Sequence, residues 1–311
     1  MTNKRFKILL ISLIISLPFW WGMDTLANKL EDFFFWQEIA ENPQMFTADV
    51  SKVVKPKPIE ILVDNLEDNT KAALSVDSRG KILFEKNSQD ILPMASLTKL
   101  MTALVVFDLD ETYDFTQLIE ISEEAVQQEG TSRYGELESG DVFSLETLIH
   151  IMLIESSNDA AYAIGEVIGQ EGFVELMNIY VQDIGLEDTH FINLSGLESD
   201  NSQMNLSTSQ DLVKLARYIL KEYPEIFEIT ANTSYEALNS DGFLHHFIPQ
   251  NTNELLKEYP EIIGGKTGWS PNAGGCLLLI LEDSDSYTIN VVLGAYDRFE
   301  EMKKLIELTD K

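Results

Sequence analysis

Two hydrophobic periods alternate along this chain, and their order constrains its fold more than any other feature. Ala72 to Asp77 and Lys81 to Glu85 are short β-prone runs on either side of the turn sequence Ser78-Arg79-Gly80, which predicts a β-hairpin. The middle of the chain then takes the helical period. Leu145, Leu148, Ile149, Met152 and Leu153 recur at i, i+3, i+4, i+7 and i+8 behind a candidate cap at Ser144. Leu212, Leu215, Ala216, Ile219 and Leu220 repeat that spacing behind Thr208-x-x-Asp211, a capping-box pattern. Strand-like apolar runs return at the end, where Cys276 to Leu281 and Tyr287 to Leu293 flank the polar turn 282–286, and a last helix is expected from about Arg298. Strands first, helices between and strands last predict an α+β domain. Its early and late strands share one mostly antiparallel sheet, packed with a helical subdomain.

That domain is expected over residues 59–311. Ahead of it, residues 28–58 read as a spacer ending in Lys55-Pro56-Lys57-Pro58, where the prolines favour extended backbone. Residues 1–27 read as an export segment. Lys4, Arg5 and Lys7 precede Ile8 to Met23, which carries no charge. The run is shorter than the ~20 residues that span a bilayer comfortably, which favours a cleavable signal peptide with Thr25-Leu26-Ala27 as its site. Phe19-Trp20-Trp21 resembles an interfacial aromatic belt and favours an uncleaved N-terminal membrane anchor. Either way the body of the chain is expected outside the cytoplasm, anchored to the membrane by its N-terminus or secreted to the wall or periplasm.

With 52 acidic against 22 basic residues, the formal charge of −30 leaves no basic stripe for neutralising phosphates, so nucleic-acid binding is not expected. The single cysteine, Cys276, sits in an apolar run and reads as a small buried hydrophobe rather than a nucleophile. Around His150, His190, His245 and His246 there is no HExxH or Cys/His pattern, so neither a metal nor an organic cofactor is expected.

Three short patterns occur in order: Ser96-Leu97-Thr98-Lys99 (S-x-x-K), Ser156-Ser157-Asn158 (S-x-N) and Lys266-Thr267-Gly268 (K-T-G). The first two are weak alone, since Ser78-Arg79-Gly80-Lys81, Ser199-Asp200-Asn201 and Ser270-Pro271-Asn272 also match them. Context separates them. Ser78 falls in the hairpin turn, whereas Ser96 opens the apolar, helix-like stretch Leu97 to Phe107. A serine there sits where a helix dipole favours developing negative charge. Lys99, one turn on and on the same face, reaches its hydroxyl and, if desolvated, acts as general base. Asp188 and Asp211 read as caps or turn residues, and His190 as structural.

The chain resembles the low-molecular-mass penicillin-binding D-alanyl-D-alanine carboxypeptidases, which share a fold with serine β-lactamases. Beyond the triplets, the resemblance is carried by Pro93 to Thr102, Ser156 to Ala161, Asp188 to Phe191 with Ser195-Gly196-Leu197, Asn251 to Leu256, Gly264 to Trp269 and Arg298 to Ile306. It implies that Ser96 attacks the carbonyl between two D-alanines of a peptidoglycan stem peptide and that Lys99 takes its proton. Ser156 relays a proton to the leaving amine, and Asn158 holds the peptide or Lys99. Lys266 and Thr267 bind the terminal carboxylate, Gly268 lets its strand pass close to the ligand, and Trp269 lines the cleft. The backbone N–H groups of Ser96 and Trp269 form the oxyanion hole, and Arg298 supports the Lys266 strand or the carboxylate. β-Lactams are then covalent inhibitors.

Three other functions compete. A class A β-lactamase needs a glutamate-activated water for deacylation; no Glu-x-x-Leu-Asn segment lies between Asn158 and Lys266. A non-catalytic wall-binding protein would not need the full set of motif residues. A D,D-endopeptidase uses the same residues on a larger leaving group. Many relatives in the family carry a second, β-rich domain and a C-terminal amphipathic helix; the stretch Arg298 to Lys311 is too short and charged to anchor, so membrane attachment is expected at the N-terminus.

Overall fold

Cys276-Leu277-Leu278-Leu279-Ile280-Leu281 is apolar at every position, a pattern that suits a strand covered on both faces better than one with a wet side. In the computed structural model it is the centre of β10 (Gly274–Asp283). This structure describes residues 70–109, 113–128, 136–198, 203–283 and 286–309. The candidate signal or anchor and the spacer lie outside them. Among the described residues no helix is long and apolar enough to cross a membrane.

The predicted hairpins form one sheet. β1 (Ala72–Asp77) and β2 (Ile82–Lys86) pair antiparallel, as do β10 and β11 (Ser286–Ala295). β1 and β11 also pair antiparallel, from Ala72 opposite Leu293 to Asp77 opposite Thr288. With β9 (Ile262–Ser270) on the far side of β10, the order is β2-β1-β11-β10-β9, so the first and last strands of the domain meet at the middle of the sheet. Among the described residues, three small two-stranded ladders lie outside it: β3 (Leu92–Pro93) with β6 (Leu206–Ser207), β4 (Leu118–Glu120) with β5 (Val142–Ser144), and β7 (Tyr235–Leu238) with β8 (Leu244–Ile248).

The helical layer is built around α1 (Thr98–Asp108), whose residues from Thr98 to Val106 are all buried. A helix enclosed on every side is a core element rather than an amphipathic cover. α2 (Leu145–His150) starts as expected, with the Ser144 hydroxyl accepting from Thr147 N. It then departs from the sequence reading: residues Ile151–Glu155 widen into a π-helical turn that ends at Ser156 in the left-handed region (φ 69°). α3 (Asn158–Glu166) and α4 (Gln170–Ile184) follow. α5 (Ser209–Glu222) turns Leu212, Leu215, Ala216 and Ile219 to the core. Thr208 caps it by accepting from Asp211 N; the other half of the capping box is diverted, because the Asp211 carboxylate accepts from Asp188 N and Thr189 Oγ1 instead. A short α6 (Glu225–Thr230) leads to β7, and α7 (Arg298–Thr309) closes the domain against β10 and β11. Cys276 is fully buried, and burial pushes its thiol up to about 11. His190 is held by its backbone, which pairs with Leu206.

Candidate active site

Three local irregularities bring the three motifs together. The first precedes α1. Ala95 adopts φ 47°, strained for a residue with a Cβ, and a 3-10 turn over Ala95–Leu97 carries Ser96 out of the buried layer. Ser96 is therefore in the turn before the α-helix, whose own cap is Leu97 with no side-chain cap hydrogen bond. A plain helix-capping role for the serine is thus not what the structure shows. The turn is braced from behind by Gly196 (φ 86°), where a Cβ would stand 2.0 Å from the Ala95 carbonyl oxygen.

Lys99, one turn after Ser96, has no exposed surface. Its Nζ lies 3.1 Å from Ser96 Oγ, 2.6 Å from Asn158 Oδ1 and 2.8 Å from the carbonyl oxygen of Ser195.

The second irregularity is the π turn. It replaces a regular helical end with a left-handed Ser156, after which Ser157 caps α3 by accepting from Ala160 N. Ser156 Oγ accepts from Lys266 Nζ at 2.8 Å. The altered ladder is compensated from outside: Thr252 N donates to the Ile154 carbonyl at 3.1 Å.

The third lies on β9, the edge strand, which passes against the Ser96 turn. Gly268 makes that approach possible: a Cβ there would sit 3.0 Å from both Met94 O and Ser96 N. The sequence reading expects this glycine to let its strand pass close to the ligand; in the structure it also lets the strand pass close to the backbone of the Ser96 turn. Lys266 is buried, and its amine is held well below the ordinary lysine value, chiefly by burial and then by the charges of Lys99 and Arg298. Thr267 Oγ1 donates to Thr252 Oγ1 at 2.7 Å, and Arg298 Nη1 reaches the Gly268 carbonyl at 3.4 Å.

These groups surround a cleft of about 230 Å³. Of the residues singled out from the sequence, Ser96, Ser156, Asn158, Thr267, Gly268, Trp269 and Arg298 line it, while Lys99 and Lys266 are buried alongside. Trp269 is 62% exposed, so it forms a lip rather than part of the core. Sequence reasoning missed Glu155, gave no role to Thr252 within the Asn251 to Leu256 resemblance, and missed the role of the Ser195 carbonyl; Glu155 and Thr252 both stand in the cleft wall. Glu155 directly precedes the second motif, the one signal that could have drawn notice to it. A larger cavity of about 1130 Å³ between α4 and residues 190–198 shares no lining residue with the cleft. Among the described residues no three His, Cys, Asp or Glu side chains converge as a metal site requires.

A serine hydroxyl within hydrogen-bond reach of a buried amine has the geometry of a nucleophile beside its base. The Lys266 amine, the Thr267 hydroxyl and the Arg298 guanidinium, all hydrogen-bond donors, gather at the same cleft. Residues 60–297 match the D-alanyl-D-alanine carboxypeptidase family. The chain belongs to that family. It is 31% identical over 250 residues to D-alanyl-D-alanine carboxypeptidase DacF of Bacillus subtilis, covering 79% of this chain and 62% of that one. It is 30% identical over 232 residues to a D-alanyl-D-alanine endopeptidase of Pseudomonas aeruginosa, covering 73% and 72%. Among solved structures, penicillin-binding protein D2 of Listeria monocytogenes in its ampicillin-bound form superposes with a TM-score of 0.68 at 28% identity, covering 79% of this chain and all of that one. PBP3 of Streptococcus pneumoniae, described as a peptidoglycan synthesis regulatory factor, gives 0.71 at 26%, covering 78% and 76%. The fold is therefore that of the penicillin-binding proteins, as the sequence reading expected. The chain spans 62% of the length of DacF and 59% of that of DacD of Escherichia coli, another carboxypeptidase relative.

Proposed function

We propose that the chain is a serine D-alanyl-D-alanine carboxypeptidase that removes the terminal D-alanine of peptidoglycan stem peptides. The observation that carries this reading is the placing of Lys99 Nζ against Ser96 Oγ, Asn158 Oδ1 and the Ser195 carbonyl. A neutral amine has two N–H bonds and one lone pair. Two of the partners, Asn158 Oδ1 and Ser195 O, can only accept, so they take the two N–H bonds. A charged amine donates to the Ser96 hydroxyl in the third direction; once Lys99 is neutral, as its role as base requires, the lone pair on that side accepts the Ser96 proton. Lys99 is thereby oriented as a base before any substrate arrives.

In the proposed reaction, Ser96 Oγ attacks the carbonyl between the two D-alanines as its proton passes to Lys99. The backbone N–H groups of Ser96 and Trp269 stabilise the oxyanion; removing one such donor typically costs ~10²–10³ in rate. Collapse breaks the C–N bond. Ser156, bridged to Lys266, delivers the proton to the departing D-alanine amine. Water then hydrolyses the Ser96 ester. Lys266 and Thr267, supported by Arg298, hold the terminal carboxylate. A β-lactam would acylate Ser96 in the same way and persist there, because no glutamate-activated water pattern follows Asn158. The basic and apolar segments of residues 4–23 favour an extracytoplasmic location with N-terminal membrane attachment or secretion.

The test is D-alanine release from diacyl-L-Lys-D-Ala-D-Ala by the full chain and by Ser96→Ala. Release by the first and none by the second is expected; equal release by both would refute Ser96 as nucleophile. A second reading, D,D-endopeptidase, is favoured by the Pseudomonas aeruginosa relative, of which this chain covers the larger share. Cleavage of cross-linked dimers without D-alanine release from the tripeptide would select it.

A further inference from the structure

Behind the cleft wall runs a row of four titratable groups that the proposed reaction does not use. Glu155 lines the cleft immediately before Ser156. Its Oε2 lies 3.6 Å from Nε2 of His246, which is 8% exposed. His246 Nδ1 lies 2.9 Å from Nδ1 of His245, and His245 Nε2 lies 3.1 Å from Asp141 Oδ2. The row thus links the turn before β5, strand β8 and the end of the π-helical turn.

Proton counting along this row is restrictive. Each outer nitrogen faces a carboxylate and needs an N–H to meet it. The two inner nitrogens face each other, and one N–H between them is all they can hold without repulsion. The row is complete with three protons on four nitrogens, which is one imidazolium and one imidazole. With both rings neutral only two protons remain, and one carboxylate must face a lone pair. The spacing identifies that end: the Asp141 side is at hydrogen-bond distance, whereas His246 Nε2 at 3.6 Å from Glu155 makes no hydrogen bond among the described residues.

The β7 residue opposite His246 is Ala237. Of that strand's titratable residues, Tyr235 stacks on His150 of α2 and Glu236 is exposed opposite Phe247. Phe143 of β5 packs edge-on against His245 at 5.0 Å. From the cleft come Lys266, bonded to Ser156, and Arg298.

We infer that His245 and His246 share one proton and use it to hold Glu155 against β8, away from the carboxylate-binding end of the cleft. The row is then a positioning relay that makes substrate binding depend on pH. It rests on the carboxypeptidase reading of the cleft. When the shared proton leaves, the lone pair on His246 repels Glu155, whose carboxylate competes with the substrate carboxylate for Lys266, Thr267 and Arg298. A group acting this way alters KM and leaves kcat in place.

Two measurements on the full chain test this. The first is the ¹⁵N spectrum of the imidazole rings, assigned with His245→Gln and His246→Gln, across about pH 5 to 8 where histidines exchange protons. Three protonated nitrogens on the pair at the acid end, passing to two in a single coupled step, is the expected result. Rings that each gain a proton independently would overturn the relay. The second is the pH profile of D-alanine release. KM is expected to rise roughly two- to fivefold over the range as the proton is lost, the scale of one ion pair. Glu155→Gln should flatten that rise while the imidazole step persists. A profile unchanged by Glu155→Gln would refute the relay with activity intact. Absence of D-alanine release at every pH would instead count against the carboxypeptidase, and the ring spectra would still decide whether the proton is shared.

Discussion

Replacing Gly196 with alanine separates the two things this glycine does. Its φ of 86° is a conformation that a Cβ makes costly, by ~1–2 kcal/mol. In addition, the new Cβ would stand 2.0 Å from Ala95 O and 2.4 Å from Ala95 C, more than an ångström inside ordinary contact and against backbone rather than a movable side chain. Forced overpacking of this kind costs a further ~1–3 kcal/mol, for a total of ~2–5 kcal/mol. Gly185 supplies the control. It too has positive φ, at 75°, as the C-cap of α4, yet a Cβ there meets nothing within 4 Å. Gly185→Ala should therefore carry the conformational penalty alone, lowering Tm by ~2–8 °C at about 2–4 °C per kcal/mol for a domain of this size. Gly196→Ala should lose roughly twice as much or more. Because the displaced backbone is that of Ala95, Ser96 moves with it, and a shift of about 1 Å at a reacting group can cost ~10²-fold in rate. The assay is thermal unfolding together with the second-order rate of Ser96 acylation by a fluorescent penicillin. If Gly196→Ala matched Gly185→Ala in both, the bracing of the nucleophile turn by the 193–197 loop would be wrong.

Asn158→Ala should leave one Lys99 N–H without its acceptor and let the amine rotate. The orientation of the lone pair is lost, and Ser96 acylation should fall ~10–10²-fold, on the scale of the ~1–3 kcal/mol of an unmet buried polar group; an unchanged rate would remove Asn158 from the base. Lys266 has its folded-state pKa below the ordinary 10.5, so below 10.5 the unfolded chain binds the extra proton and folding is penalised, the penalty shrinking as pH rises towards 10.5. Lys266→Met should therefore raise Tm at neutral pH, lose that advantage as pH approaches 10.5, and abolish D-alanine release; calorimetry across the range checks the first two. The Glu198 carboxylate accepts from Ser270 Oγ, Asn272 N and Asn272 Nδ2, and its pKa is lowered chiefly by the Ser270 bond. That clamp is complete above the ordinary carboxylate value and is lost as pH falls through the lowered one, so Glu198→Gln should reduce the acid sensitivity of Tm. Buried Cys276 should stay unreactive towards a disulfide reagent at about pH 8 until the chain unfolds, since the thiolate is the reactive form.

Much of the sheet was legible because its strands advertise themselves locally. The Ser78-Arg79-Gly80 turn and the polar 282–286 segment punctuate apolar runs, and the continuous run from Cys276 signals a strand covered on both faces. The small ladders are two to five residues per strand, too short for a period to register. The π turn was illegible for another reason. Leu145, Leu148, Ile149, Met152 and Leu153 keep helical spacing through the residues where the ladder widens. The group that meets the widened turn is not in that segment: Thr252, about a hundred residues later, donates to the Ile154 carbonyl.

The catalytic candidates divide in the same way. Ser96, Lys99, Ser156, Asn158 and Lys266 could be named from short patterns because each motif lies within one turn or strand. Their partners could not. Ser195 acts through a carbonyl that any residue would supply, Gly196 through the absence of a side chain, and Glu155 through histidines on a distant hairpin. Yet the partners decide what the motif residues are. Without the Asn158 and Ser195 acceptors the amine of Lys99 has no preferred direction, and burial alone would leave a costly polar group beside a hydroxyl. Without the left-handed Ser156, the Lys266 amine would lose a partner it needs in a site where desolvation already depresses its pKa. Both lysines thus meet their partners through positions at which helix geometry is broken: a positive φ at Ala95, and a π turn closed by a positive φ at Ser156. Such strain persists only where the rest of the fold enforces it. Here the enforcing elements are the edge strand β9 and the loop carrying Gly196, both pressed against the turn that holds Ser96.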